Sequence, residues 1–208
     1  MYIPRHFKPS DKAATQFLSR IESGHLVTNT QQGLLSTLLP VVYSAQSHSF
    51  IGHISKLNDQ ATLASTQEAL LISSLNESYI SPTWYASKEE HHKVVPTWDY
   101  MLLHAYGELI IHDDPKWIFN QVNQLTNRFE SSMQKPWEIS QAPTDYIEGQ
   151  IRAIVGVELK LTRIEASFKM SQNKSEADLN GVIRGLRHLG KDAMASAIDE
   201  LRPEEKRS

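Results

Sequence analysis

The chain has 208 residues, long enough for one good hydrophobic core and short for two full domains. It has no cysteine, which excludes disulfides, thiolate zinc sites and cysteine nucleophiles together and fits a reducing cytoplasm. A net charge of -3 and a pI near 6.3 give no general attraction to nucleic acid, so any DNA-binding face must be a local patch.

The opening MYIPRHFKPSDK lacks the apolar core of a signal peptide, and no later stretch approaches the roughly 20 apolar residues of a membrane helix. Residues 10–24 read as a helix. Ser10 can cap it, Ala14, Phe17, Leu18 and Ile21 form its apolar stripe, and Gly24 stops it. HLVTNT, a Gln-Gln-Gly turn at 31–33 and LLSTLLPVVY then predict a hairpin. The second run is apolar on both faces, which predicts a central strand. SFIGHI (49–54) predicts a third strand, residues 55–65 a short helix or loop, and EALLISSL (68–75) a fourth strand. YISPTWY (79–85) reads as its continuation after a bend near Asn76-Glu77.

SKEEHHK (87–93) is a polar loop or hairpin tip, and VVPTWDYMLLHAYGELIIH gives one or two further strands. Asp114 before Pro115 is an N-cap followed by proline at the first helical position. The helix behind it carries Ile118, Val122, Leu125 and Phe129 on one face. In the last strand, apolar residues occupy odd positions from Ile151 to Leu161 and then even ones from Ile164 to Met170. A one-residue phase slip is what a β-bulge produces, here near Thr162–Arg163, and such a strand turns a corner as barrel strands must. The tail is helical over about 175–201, broken at Gly190. The expectation is a single domain over 1–208: a mainly β (α+β), mostly antiparallel, closed barrel with peripheral helices.

The chemistry is less explicit. His91 and His92 lack HExxH spacing, and the chain has no GxSxG elbow, GxGxxG fingerprint or P-loop. No metal site is expected. GHISKLN (52–58) places His53, Ser55, Lys56 and Asn58 just beyond a strand end, where lysine beside hydroxyl and amide donors suits a phosphate. Strand alternation over YISPTWY would send Ile80, Pro82 and Trp84 to one side and Tyr79, Ser81, Thr83 and Tyr85 to the other. Aromatic faces beside hydrogen-bonding groups suit a flat heteroaromatic ligand, and they equally suit a core or a dimer interface.

Taken together, MYIPRHF, GHISKLN, YISPTWY, VPTWDY, AIVGVELKLTRIEASFKMSQNK and GVIRGL occur in the order found in the PaiB family of FMN-binding negative transcriptional regulators, which the chain resembles over nearly its whole length. That resemblance implies a split β-barrel of the pyridoxamine-phosphate-oxidase type, a homodimer, and FMN in clefts between subunits. It implies Lys56 and Asn58 near the phosphate or ribityl chain, with His53 and Thr37 (in STLLP) nearby. Tyr79, Ser81 and Trp84 would approach the flavin from another strand. Thr97 and Trp98 belong to the second family signature, and Lys169, Gln172 and Lys174 to a polar segment reaching the cofactor.

The departures from the family pattern are specific. Leu38 stands where the family has histidine, and Lys56 stands where it has arginine. Glu77 adds a carboxylate, Asp99 replaces an asparagine, and EASFKMSQN stands for EGKWKLSQN. These changes imply weakened FMN affinity or the use of another ligand. Three functions stay open: a regulator that binds DNA, for which Arg184, Arg187, His188 and Lys191 form the one basic helical cluster; a flavin-dependent oxidoreductase, with His53 as the best general-base candidate; and a ligand-binding dimer without activity.

Overall fold

The computed structural model describes residues 1–63 and 68–202. A 3₁₀ turn (Arg5–Phe7) and α1 (Asp11–Leu18) precede β1 (Ser23–Thr30) and β2 (Gly33–Pro40). Next come β3 (Val42–Ser44), β4 (Ser49–Ser55), the short α2 (Asp59–Leu63) and β5 (Glu68–Ile80). A 3₁₀ turn (Pro82–Trp84) and α3 (Ser87–His91) lead into β6 (Thr97–His112) and α4 (Pro115–Glu130). A further 3₁₀ turn (Ile139–Gln141), α5 (Thr144–Arg152), β7 (Ile154–Lys169), α6 (Glu176–His188) and α7 (Asp192–Glu200) complete the chain.

Among the described residues, seven strands form one sheet in the order β2-β1-β5-β6-β7-β4-β3. β1 runs antiparallel to β2 and β5, and β4 antiparallel to β3 and β7. The order has two ends, and no pairing among the described residues joins β2 to β3. The sheet is therefore open rather than closed by hydrogen bonds, the arrangement of a split barrel. The chain divides into two compact units, one of Met1–Ala14, Ser74–Leu103 and Ala166–Ser208, the other of Thr15–Ser73 and His104–Glu165.

In the second unit the register sorts the side chains. Phe50 pairs with Leu159, Gly52 with Val157 and Ile54 with Val155, and all six are buried. Each large apolar group so buried contributes about 1.5–3 kcal/mol. The alternate face carries Ser49, Ile51, His53, Gly156 and Glu158. It is too polar to pack on a second sheet, and α4 covers it. Asp114 starts that helix, accepting from the backbone N–H groups of Lys116 at 3.3 Å and Trp117 at 3.2 Å. Trp117 lies on the bare backbone of Gly156, where a Cβ would come within 2.1 Å of the ring. Its other support is His112, stacked at 3.9 Å with planes 10° apart.

In the first unit α6 buries Leu179, Val182, Ile183 and Leu186, and α7 buries Met194, Ala195, Ala197 and Ile198. Gly190, at φ 70°, separates them where the sequence predicts a break. Ser175 caps α6 by accepting from Asp178 N–H at 3.2 Å.

Several sequence expectations need correction. The first helix ends at Leu18, and Gly24 lies inside β1, not at a helix stop. The apolar second arm of the hairpin, β2, is an edge strand: its leucines read as core from composition, yet Leu34 is 75% and Leu38 62% exposed. Residues 87–91 form a helix rather than a loop. YISPTWY leaves the strand at Ile80, because Pro82 cannot donate to a ladder and Ser81 caps a 3₁₀ turn instead. Ile151 belongs to α5 and Ala153 to its C-terminus, so the odd-position run begins in a helix and becomes strand only at Ile154. The alternation breaks where the slip is expected: Leu161 is buried, Thr162 and Arg163 are exposed in succession, Ile164 and Glu165 are half-buried, and Ala166, Ser167 and Phe168 are all buried. The part of the 55–65 expectation beyond Leu63 lies outside the described residues.

Gly156→Ala should destabilise the protein by about 1–3 kcal/mol, since the added methyl must lift Trp117 off the sheet. Urea unfolding followed by tryptophan fluorescence measures this, and a stability equal to that of the unmodified chain would show that the indole does not rest on this backbone.

Candidate functional site

The residues singled out by the sequence fall into two groups, one in each unit. In the second unit, Thr37 comes from β2 and Lys56 and Asn58 from the connection between β4 and α2. Asn58 Nδ2 donates to Thr37 Oγ1 at 2.9 Å, while its Oδ1 accepts from Gln60 N–H at 2.9 Å. Gln60, 1% exposed, donates through Nε2 to Leu26 O at 3.0 Å and Thr28 Oγ1 at 2.9 Å. The buried glutamine thereby ties the connection to the β1–β2 hairpin and fixes the amide of Asn58. Lys56 lies at the rim, its backbone N–H bonded to Ala153 O at 3.0 Å. Its ammonium meets Asp113 Oδ1 at 2.5 Å, with 39% and 68% of the two side chains exposed.

His53 does not join this group. Alternation along β4 puts it on the face under α4, and its Nδ1 is 3.0 Å from Gln121 Oε1. Leu38, where the family has histidine, faces solvent.

In the first unit, Thr97, Trp98 and Lys169 are brought together. Lys169 Nζ donates to Thr97 Oγ1 and to Trp98 O, the latter at 2.7 Å. Between them lies Asp99, fully buried; its Oδ2 accepts from Ser171 Oγ at 2.5 Å and its Oδ1 is 3.9 Å from Lys169 Nζ. Ser171 adopts φ 56°, a left-handed backbone that aims its hydroxyl at the carboxylate. Burial pushes the Asp99 carboxyl up to about 6, against the opposing pull of Ser171, Lys169 and Lys174. Burial, and next the Asp99 charge, push the Tyr85 phenol up to about 12. Lys174 Nζ sits 4.5 Å from the centre of the Tyr85 ring. Gln172 turns back on the chain, accepting from Met170 N–H at 2.7 Å and donating to Phe168 O at 2.5 Å.

Ser81 accepts from Thr83 N–H at 3.2 Å and lies 2.7 Å from the Thr83 hydroxyl, so its oxygen is engaged locally. Trp84 is carried by α6: a Cβ on Gly185 would fall 2.3 Å from the indole, and one on Gly181 1.9 Å from the Trp84 carbonyl. Tyr79 and Trp98 are 46% and 49% exposed, leaving aromatic surface open to a partner or ligand. The start of α6 is fastened by Asp178, whose two oxygens accept from Ser87 N–H and Oγ, each at 2.9 Å. Burial raises the Asp178 carboxyl, but these bonds outweigh it and hold the group below its ordinary value. Among the described residues no three histidine or carboxylate side chains converge on a metal position.

The Lys56 group is exposed while the Asp99 group is largely buried, and a family described as "Putative FMN-binding domain" matches residues 1–163. The chain belongs to this FMN-binding family. An uncharacterized protein of Emericella nidulans is 34% identical over 169 residues, 68% of this chain and 67% of that one. "Protease synthase and sporulation protein PAI 2" of Bacillus subtilis is 28% identical over 192 residues, 90% of each chain. The flavocytochrome Anf3 of Azotobacter vinelandii superposes with a TM-score of 0.57, with 10% identity, over 80% of this chain and 72% of that one. The PaiB resemblance read from the sequence motifs is thus supported by family, relative and fold.

In this member of the FMN-binding family, the sequence motifs single out Lys56 and Asn58 but not Asp113, which pairs with Lys56. The signal was faint: β4 and β6 both flank β7, so the residues just past their ends share a rim, and that is visible only once the strand order is known. Ser171 was missed because nothing in a serine codon predicts a left-handed backbone.

Asp99 carries a pH signature. Its folded pKa is raised, so the native state holds a proton that the unfolded state releases, and stability falls as pH rises from about 4 to 6. Above that window the buried charge costs on the order of 3 kcal/mol. Asp99→Asn should therefore raise stability near pH 7 by roughly 1–3 kcal/mol and by almost nothing at pH 4. Urea titrations at the two pH values measure the difference, and an equal effect at both would contradict a buried, proton-linked carboxyl.

Proposed function

We propose that the protein is a PaiB-like, FMN-binding negative transcriptional regulator that works as a homodimer in the cytoplasm. The observation that carries the flavin part is the Thr37–Asn58–Lys56 group, a hydroxyl, an amide and an ammonium held at one rim in a chain of an FMN-binding family. This donor set fits a phosphate or a ribityl chain. On the family resemblance, Thr97, Trp98, Lys169, Gln172 and Lys174 with Tyr79, Ser81 and Trp84 are assigned to the cofactor as well, and the open aromatic surface of Tyr79 and Trp98 suits a planar ring. A bound flavin supplies the redox chemistry; the chain's own residues bind and orient it.

The pairing of Lys56 with Asp113 supports weak binding, because a phosphate dianion must compete with a carboxylate already 2.5 Å from the ammonium. The exposed leucines of edge strand β2 support self-association, since an unpaired apolar edge is otherwise a liability in water. The exposed Arg184, Arg187 and His188 near the end of α6 are the basic residues available to nucleic acid, whereas Lys191 is bonded to Ser78 Oγ at 2.9 Å. His53 lies on the face of β4 under α4, apart from the Thr37–Asn58–Lys56 group, which weighs against its acting as a base on a flavin substrate there.

Fluorescence-quenching titration with FMN should give a Kd weaker than about 1 μM, on a sample whose light-scattering mass is twice that of the chain. Asp113→Asn should tighten binding several-fold and Lys56→Ala should weaken it about tenfold. If neither variant changes the Kd, Lys56 is not in the site. The regulator itself is tested by mobility shift against genomic fragments: salt-sensitive binding weakened by Arg184→Ala with Arg187→Ala supports it. NAD(P)H oxidation on adding FMN, without DNA binding, would replace it with the enzyme.

A further inference from the structure

The face of the second unit covered by α4 contains a cleft that the flavin reading does not use. It lies between α4 and β3–β4–β7 and has a volume of 270 Å³. Ser44 and Ser47 line one side, Asn120, Gln121 and Gln124 of α4 the other, and Glu158 the floor. Ile51 and Trp117 supply its apolar wall. It lies on the opposite side of β4 from Gly52 and Ile54, on the face that carries Ser49, Ile51 and His53.

Three observations define what such a cleft would accept. First, Gln121 is 2% exposed, and one end of its amide is used: Oε1 lies 3.0 Å from His53 Nδ1. Its Nε2 is enclosed and has no partner among the described residues, which leaves one buried donor beside the cleft unanswered. Second, Glu158 is the one charged group in the lining, and both its oxygens are engaged. Ser49 Oγ donates to Oε1 at 2.7 Å, and His112 Nε2 lies 2.8 Å from Oε2. Its remaining lone pairs can accept hydroxyl hydrogens, but it is not an unanswered anion waiting for a cation. Third, no lysine or arginine lines the cleft, so nothing there rewards a phosphate or a carboxylate.

We propose that this cleft binds a small, uncharged, hydroxyl-rich molecule, of the size of one sugar ring or a cyclic polyol. Amides and serines act on such a ligand as both donors and acceptors, with the exposed amides of Asn120 and Gln124 reaching its hydroxyls directly and the enclosed Gln121 backing them. The volume falls just below the range of about 300–1,000 Å³ typical of sites for drug-sized molecules, which suits a single ring better than a nucleotide or a flavin. Trp117 is held rigid by His112 and Gly156, so the apolar wall is preformed rather than induced.

The test is an NMR titration of the ¹⁵N-labelled full chain, following the side-chain amides of Gln121 and Gln124 and the indole N–H of Trp117. The probes are D-glucose and myo-inositol, with D-glucose 6-phosphate and n-butylamine as charged counterparts. At least one neutral probe should shift these resonances with a Kd of about 1 mM, equally with and without FMN, and both charged probes should bind more weakly. Gln121→Leu should abolish the shifts at Trp117. Where that variant does not fold, Gln124→Ala, an exposed position, should reduce the affinity several-fold. No shift with either neutral probe overturns the proposal. So does binding of the phosphate or the amine as tightly as the neutral probes, which would make this an anion or a cation site. Because every readout belongs to the α4 face, failure of FMN to bind at all leaves the result unaffected.

Discussion

The contact between Trp117 and the bare backbone of Gly156 decides most of what lies on one face of the second unit. A helix packed on a sheet is normally held off by the side chains of both. Here a glycine in β7 removes one of those side chains, and the indole fills the space with His112 stacked on its other side. α4 is thereby brought close enough for Gln121 to reach His53 on β4. The same contact defines the cleft wall and leaves Glu158 enclosed between Ser49 and His112. One missing methyl thus sets the position of a helix, the orientation of a histidine and the shape of a pocket.

The opposite face of the same strands is governed by a simpler rule. Phe50, Gly52 and Ile54 face Val155, Val157 and Leu159 in register, and a slip by one residue would exchange this apolar set for Ser49, His53 and Glu158. The two faces therefore enforce each other: the register that buries the aliphatic row is the one that puts Gly156 under Trp117.

Much of this was legible in the sequence where local rules are strong. The Asp114-Pro115 start of α4, the hairpin around Gly33, the phase slip at Thr162–Arg163 and the break at Gly190 each rest on a turn, cap or alternation that needs no distant partner. The errors came where burial depends on neighbours. β2 carries leucines and sits at an edge, because sheet position is set by strand order and not by the apolar content of one strand. Ile151 continued an alternating pattern across what proved to be the end of a helix. The candidate site followed the same division. Motifs picked out Lys56, Asn58, Thr97 and Lys169, while Asp113, Ser171 and Gln121 matter only through contacts with residues far away in the chain.

The ion pair of Lys56 with Asp113 has one more consequence. An anion-binding rim built on uncompensated cations draws its ligand through a long-range field, and added electrolyte erodes that attraction. Here the ammonium and the carboxylate form a neutral couple, so an approaching dianion meets little net potential beyond a few ångströms. Any anion held at this rim would be recognised by hydrogen-bond geometry at close range, and ionic strength would have little leverage over either the rate or the strength of its binding.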